Sequence, residues 1–194
     1  MDAALSEVPR AALLTLQHTL LERMATGDSL AAVLDHLCRR VEEMAPGVVA
    51  TIVLIKDGKL RPGAAPSMPE ALGRALDGIP VGPAVGSCGT AAWRGEPVLV
   101  SDMATDTLWR DYLYLPVPRH LLACWSSPIK SRAGSVIGTF AFYFPEKRGP
   151  SKFEEQIVQT CVHMCTMAIE SDLAWSEIRR LAYEDTLTGL MNRS

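Results

Sequence analysis

Cys88 stands between two glycines, in Gly86-Ser87-Cys88-Gly89-Thr90, where the sequence predicts the opening of a helix. Free N–H groups and the helix dipole at such a place lower a thiol's pKa and favour anions, which suits redox or covalent chemistry. The alternative is that Cys88 packs as a small hydrophobe, as buried free cysteines usually do. With Cys38, Cys124, Cys161 and Cys165 it makes five cysteines, an odd number without a C-x-x-C pair, which argues against a disulfide framework and against a zinc knuckle. Cys161 and Cys165 share a helix face while His163 points elsewhere, a poor metal site, so no metal ligands are assigned. A second group sets two carboxylates, Asp102 and Asp106, ahead of two aromatic rings, Trp109 and Tyr112. An aromatic-lined pocket with a few polar groups is the usual small-molecule site.

Periodicity predicts the elements that position these groups. Residues 5–24 carry apolar side chains near helical spacing, and Gly27-Asp28-Ser29 ends that helix and caps a second, whose stripe of Leu30, Val33, Leu34, Leu37, Cys38 and Val41 runs up to Pro46-Gly47. Residues 49–55 are a β-branched strand that Asp57-Gly58 turns into another near Leu60. A short helix at 69–76, an extended piece at 79–81, a helix at 87–93, a strand at 97–101 and a helix at 106–114 follow. Strands at 122–129 and 136–144 close the sheet across Arg132-Ala133-Gly134, and Phe140, Phe142 and Phe144 fall on one face by period-two geometry. The class is α+β.

A last long helix, residues 151–183, opens on the capping box Ser151-Lys152-Phe153-Glu154. Ile157, Cys161, Met164, Ala168, Ser171, Trp175, Ile178 and Ala182 recur at alternating spacings of four and three, the seam of paired helices. A second stripe of Phe153, Val158, Cys165, Ile169 and Leu173 is offset from it and is expected to cover the domain core. The competing reading packs the whole helix on its own domain.

With 48% apolar residues in 194, the chain can bury one good core plus flanking helices. A net charge of −3 gives no basic field for a polyphosphate backbone, so no nucleic-acid partner is expected. The N-terminus carries Asp2 and Glu7, and no apolar run reaches the roughly 20 residues of a membrane span. No membrane partner and a cytoplasmic setting are therefore expected.

The segment Asp185-Thr186-Leu187-Thr188-Gly189-Leu190-Met191-Asn192-Arg193 resembles the opening motif D-x-L-T-G-L-x-N-R of GGDEF domains, the diguanylate cyclase family. Ser194 precedes the substrate loop, metal-binding acids and signature that such a family needs, so this segment is expected to have no catalytic residues and to be the truncated start of that domain. Upstream, Gly86 to Ala92, Gly95-Glu96-Pro97-Val98, Val100-Ser101-Asp102, Ala123-Cys124-Trp125-Ser126-Ser127-Pro128-Ile129 and Gly138-Thr139-Phe140 resemble a GAF sensory domain. The resemblance implies a six-stranded antiparallel sheet flanked by helices, with long N- and C-terminal helices. It implies the organisation 1–27 dimerisation helix, 28–170 GAF domain, 171–184 signalling helix and 185–194 GGDEF start.

By the same resemblance Cys88, Thr90, Asp102, Trp109, Tyr112, His120 and Trp125 are the candidate ligand-binding residues, for an unknown small molecule and with no cofactor identified. Trp109 and Trp125 have core filling as their other reading. Similar GAF domains carry a histidine one place before His120, where this chain has Arg119, so a solvated loop histidine is weighed against a haem ligand. No cysteine lies in a bilin-attachment context. The function implied is a sensory domain, for a small molecule or redox state, of a diguanylate cyclase or a GGDEF-EAL phosphodiesterase. The alternatives are a redox enzyme like the free methionine sulfoxide reductases, and a ligand-free dimerisation module. A homodimer through the terminal helices is expected, with Met164, Trp175 and Ile178 dominating association at about 0.8 kcal/mol per buried CH₂. Sedimentation checks this, and a monomer at high micromolar concentration would overturn it.

Overall fold

The structure is a computed structural model that describes the backbone of residues 2–183 and the side chains of residues 11–178. Helices α1 (Asp2–Ala25) and α2 (Leu30–Met44) precede a hairpin of β1 (Val49–Lys56) and β2 (Lys59–Ala64). Helices α3 (Glu70–Leu76) and α4 (Gly86–Arg94) follow, then β3 (Val98–Val100), β4 (Ala123–Lys130), β5 (Val136–Phe144) and α5 (Lys152–Tyr183). The strands form an antiparallel sheet in the order β2-β1-β5-β4-β3. Both residues of the β1–β2 turn have positive φ, Asp57 at 53° and Gly58 at 67°. That is the geometry whose twist matches flanking strands, and Asp-Gly favours it.

Among the described residues the sheet has five strands rather than the expected six. The extended piece at 79–81 contributes a single bridge, Pro80 opposite Lys59, with Ile79 accepting from the Leu60 N–H at 2.8 Å. Gly78 and Val81 donate to the Leu60 and Gly58 carbonyls at 2.9 Å, but Pro80 has no N–H to give and Gly58 already lies in the β1–β2 turn, so the piece does not extend into a full strand. The expected helix at 106–114 is also corrected, to a 3₁₀ turn at Arg110–Tyr112. Asp102 Oδ1 accepts from the Ala104 N–H at 3.2 Å and Asp106 Oδ1 from the Leu108 N–H at 2.8 Å. Such local bonds compete with the helical pattern.

Alternation along β5 divides the core in two. Phe140, Phe142 and Phe144 face α1, α2 and α5, where Leu16, Leu20, Leu34, Leu37, Val41, Ile157 and Cys161 are buried with them. Ala141 and Tyr143 face the other way, into a cluster with Cys124 of β4, Cys88 of α4, Leu60, Met103 and Trp109. The two-stripe reading of the last helix is corrected here. Ile157, Cys161, Met164 and Ala168 of the first stripe and Val158, Cys165 and Ile169 of the second are all buried in the chain's own core. Met164, 3% exposed, therefore has no surface to offer a partner, whereas Leu173, Trp175 and Ile178 beyond the core are exposed.

The capping box forms as read: Ser151 Oγ accepts from the Glu154 N–H at 3.3 Å and Glu154 accepts from the Ser151 N–H at 2.6 Å. Arg148 donates to both Glu154 oxygens, at 2.8 and 2.9 Å, and lies 4.2 Å from the Phe144 ring centroid. Burial pushes the Glu154 carboxyl up, but the Arg148 and Ser151 donors outweigh it and hold the group below the usual glutamate range. Its contribution is therefore present above the unfolded pKa and lost as pH falls through the lower folded value. Glu154→Ala should cost roughly 1–3 kcal/mol, as loss of a buried charge-assisted bond does, in urea unfolding at neutral pH. The gap between wild type and variant should narrow as the medium is acidified, and an unchanged gap would contradict this account.

Candidate functional site

Helix α4 lies across the sheet on the face opposite α5, and its first turn carries the site. Gly86 has φ +52°, and its N–H donates to the Leu108 carbonyl at 2.8 Å, which pins the following loop over the helix start. A Cβ on Gly89 would come within 2.5 Å of the Val85 side chain, so only glycine allows this turn to close. Thr90, wholly buried, accepts from the Val85 N–H at 3.0 Å. Its hydroxyl is thus engaged in shaping the turn rather than turned to a ligand.

Cys88 points onto β4 and β5. Its sulfur lies 3.1 Å from Ser126 Oγ, and the Cys124 sulfur lies 3.8 Å from the same oxygen. Trp109 Nε1 donates to Ser87 Oγ at 2.9 Å, and its ring meets Tyr143 edge-on at 6.4 Å. The neighbouring Cys124 thiol first, and then the Ser126 hydroxyl, favour the charged form against desolvation and bring Cys88 down to about 7. Burial pushes Cys124 up, so it remains the protonated partner. Cys38, Cys161 and Cys165 are equally buried on the other side of the sheet, and desolvation raises all three. The polar donors, not the depth, make Cys88 different.

Next to the thiols is a cavity of about 20 Å³ bounded by Cys88, Val85, Trp109, Tyr112, Leu115 and Tyr143. Roughly 10–15 Å³ suffices for one water. Trp109, Tyr112 and Leu115 also form the inner wall of an outer groove of about 330 Å³, with Val117, Pro118 and Asp102 on its other sides. The structure thus brings Cys88, Trp109 and Tyr112 together and sets Asp102 at the groove, where Lys147 pairs with it at 2.7 Å and holds its carboxyl below the usual range.

Two expected residues are elsewhere. Trp125 alternates with Cys124 and so lies on the opposite face of the sheet, 6.5 Å from Phe142, beside α5. His120 is exposed on the loop before β4 and lines neither cavity. Ser87, Cys124, Ser126, Thr139 and Tyr143 are site residues that the sequence reading left out. For Thr139 and Tyr143 the signal was strand parity, since residues alternating with Phe140, Phe142 and Phe144 must face away from those rings, and Cys124 and Ser126 share a parity on β4 in the same way. Among the described residues no group of three or more potential metal ligands occurs.

A family model described as GAF domain matches residues 27–170. The chain is 36% identical over 160 residues to the methyl sulfide methyltransferase-associated sensor of Methanosarcina acetivorans, covering 81% of this chain and 16% of that protein. The fold is similar to the free methionine-R-sulfoxide reductase of Neisseria meningitidis in complex with its substrate (TM-score 0.66, 16% identity, 90% of this chain and 95% of that one). It is similar also to the GAF domain of a phosphoenolpyruvate-protein phosphotransferase from Coxiella burnetii (TM-score 0.66, 15% identity, 88% and 98%). At such identities these two structures speak for the fold alone.

Ultraviolet absorbance of the native protein should reveal one thiolate with a midpoint near pH 7, the value to which its donors bring Cys88, and Cys88→Ser should remove it. The folded pKa is lowered, so the stability it contributes is present above the unfolded thiol value of 9.0 and is lost as pH falls through about 7. A native thiol that ionises only above 9.0 would contradict the donor cluster.

Proposed function

The chain belongs to the GAF domain family, and from that premise we propose that it is the sensory input module of a cyclic di-GMP signalling protein. Residues 28–170 read a small molecule or a redox change on the Cys88–Trp109 face, and α5 relays the outcome to a GGDEF domain that opens with the Asp185 motif. The motif lies outside the described residues, so its part in the proposal rests on its sequence.

One observation carries the reading. Helix α5 packs on the reverse face of the same strands, β4 and β5, whose other face holds Cys124, Ser126 and Tyr143, and it then runs on beyond the core without interruption to Tyr183. The sensor name of the Methanosarcina relative supports a sensory role, although this chain spans only 16% of that protein. No described helix is long and apolar enough to cross a membrane, which fits a module working in the cytoplasm. In this reading the module itself is not an enzyme. Two GGDEF domains must each present one substrate to the other, so output depends on how paired α5 helices set their orientation. Exposed Leu14 and Leu21 of α1 and Leu173, Trp175 and Ile178 of α5 are the apolar surface left for a second copy.

The ionisable Cys88 also favours one other reading, a thiol enzyme of the free methionine sulfoxide reductase kind. Steady turnover of free methionine sulfoxide with a thiol reductant, abolished by Cys88→Ser, would establish it in place of the first. The relay itself is tested in a protein carrying the whole GGDEF domain. Four residues inserted between Ser171 and Trp175 rotate the downstream helix by about 40° beyond a full turn, while seven nearly restore the phase. Cyclic di-GMP output should lock high or low with four and stay regulated with seven. Equal output and equal regulation from both would make α5 a tether only.

A further inference from the structure

Cys88 and Cys124 occupy one buried polar nest, and three side chains, Trp109, Tyr112 and Leu115, stand between the small cavity beside Cys88 and the outer groove. Two thiols address one hydroxyl, Ser126 Oγ, at 3.1 and 3.8 Å. Thr139, on the same face of β5 as Ala141 and Tyr143, is wholly buried and its hydroxyl has no hydrogen-bond partner. A wholly buried hydroxyl without a partner is a standing deficit in a core built for packing alone. The cavity of about 20 Å³ on the other side of the sulfur suits a molecule little larger than water. Nothing of this kind surrounds Cys38, Cys161 or Cys165, which sit among apolar side chains of the other core.

We propose that Cys88 and Cys124 form a peroxide-oxidisable dithiol, with Cys88 the attacking sulfur and Cys124 the resolving one. The Cys88 thiolate attacks one oxygen of hydrogen peroxide, the O–O bond breaks, and hydroxide leaves. Cys88 becomes a sulfenic acid, its sulfur oxidised by two electrons as the peroxide is reduced. Ser126, Thr139 and Tyr143 surround the new S–O group. The Cys124 sulfur then attacks the Cys88 sulfur, its proton joins the departing hydroxyl as water, and a Cys88–Cys124 disulfide remains. Trp109, Tyr112 and Leu115, which wall both cavities, are the gate through which the oxidant enters. This deepens the sensory reading by naming an input, and it needs no downstream domain.

Purified protein, all 194 residues, is treated with hydrogen peroxide at neutral pH and mapped by peptide mass spectrometry. Wild type should lose two hydrogens in one product, the Cys88–Cys124 crosslink, reversed by dithiothreitol, while Cys38, Cys161 and Cys165 stay reduced. Cys124→Ser should stop at the sulfenic acid, trapped on Cys88 by dimedone, and Ser126→Ala should slow Cys88 oxidation about tenfold, the equivalent of one charge-assisted hydrogen bond. The wild-type competition needs no variant to fold. Cys88 reacting no faster than Cys38, or wild type trapped at Cys88 with Cys124 still a free thiol, would overturn the proposal. Either result leaves the small-molecule reading standing, which the insertion series tests separately.

Discussion

The alternation of side chains along β4 and β5 is the constraint on which the rest depends. A strand turns successive residues to opposite faces, so Phe140, Phe142 and Phe144 can build a hydrophobic layer under α5 only if Thr139, Ala141 and Tyr143 face α4. On β4 the same rule sets Cys124 and Ser126 against Cys88 and turns Trp125 toward the long helix. One sheet therefore serves as the floor of a polar nest and as the bed of the helix that leaves the domain. A slip of one residue would exchange the two sets and bury the hydroxyls under α5.

Opposed effects meet at Cys88. Desolvation disfavours a thiolate, and it is the largest cause at Cys38, Cys161 and Cys165, all of which are raised. At Cys88 the Cys124 thiol, with the Ser126 hydroxyl, reverses the sign. Such a nest is a poor choice for stability alone, since apolar side chains of the same volume would fill the space without leaving Thr139 unpartnered. Its presence amid Leu60, Met103 and Leu115 argues for chemistry at the sulfur rather than packing.

Much of this was legible in the sequence. The β-branched run of β1, the Asp-Gly turn, the cap at Ser29 and the Ser151–Glu154 box are local signals, and local bonds realise them. What failed was decided by competition or by partners in space. Asp102 and Asp106 bond neighbouring N–H groups, which propensity along the 106–114 segment does not weigh against helix. Two apolar stripes on one helix look like a core face and a partner face, yet a sheet on one side with α1 and α2 on the other buries both as far as Ile169. The ligand set inherited from the resemblance holds Cys88, Trp109 and Tyr112, which the fold brings together on the α4 side, and Trp125, which parity with Cys124 sets on the other face of the sheet.

That misplaced tryptophan is where the two halves of the molecule meet. A close-packed interior transmits volume changes rather than absorbing them, and the α4 side of the nest has little give. Gly89 is already tight against Val85, Thr90 holds the turn, and Gly86 is tied to the Leu108 carbonyl. A change in the distance between Cys88 and β4 must therefore be taken up by the loop bearing Trp109 or by the strand itself. In the strand, the residue flanked by Cys124 and Ser126 is Trp125, and its half-buried ring borders a cleft of about 280 Å³ beside Val158 and Val162 of α5. Val158, one turn after the capping box, lines that cleft with it. One peptide unit of β4 thus separates the residues that face the thiols from the residue that faces α5.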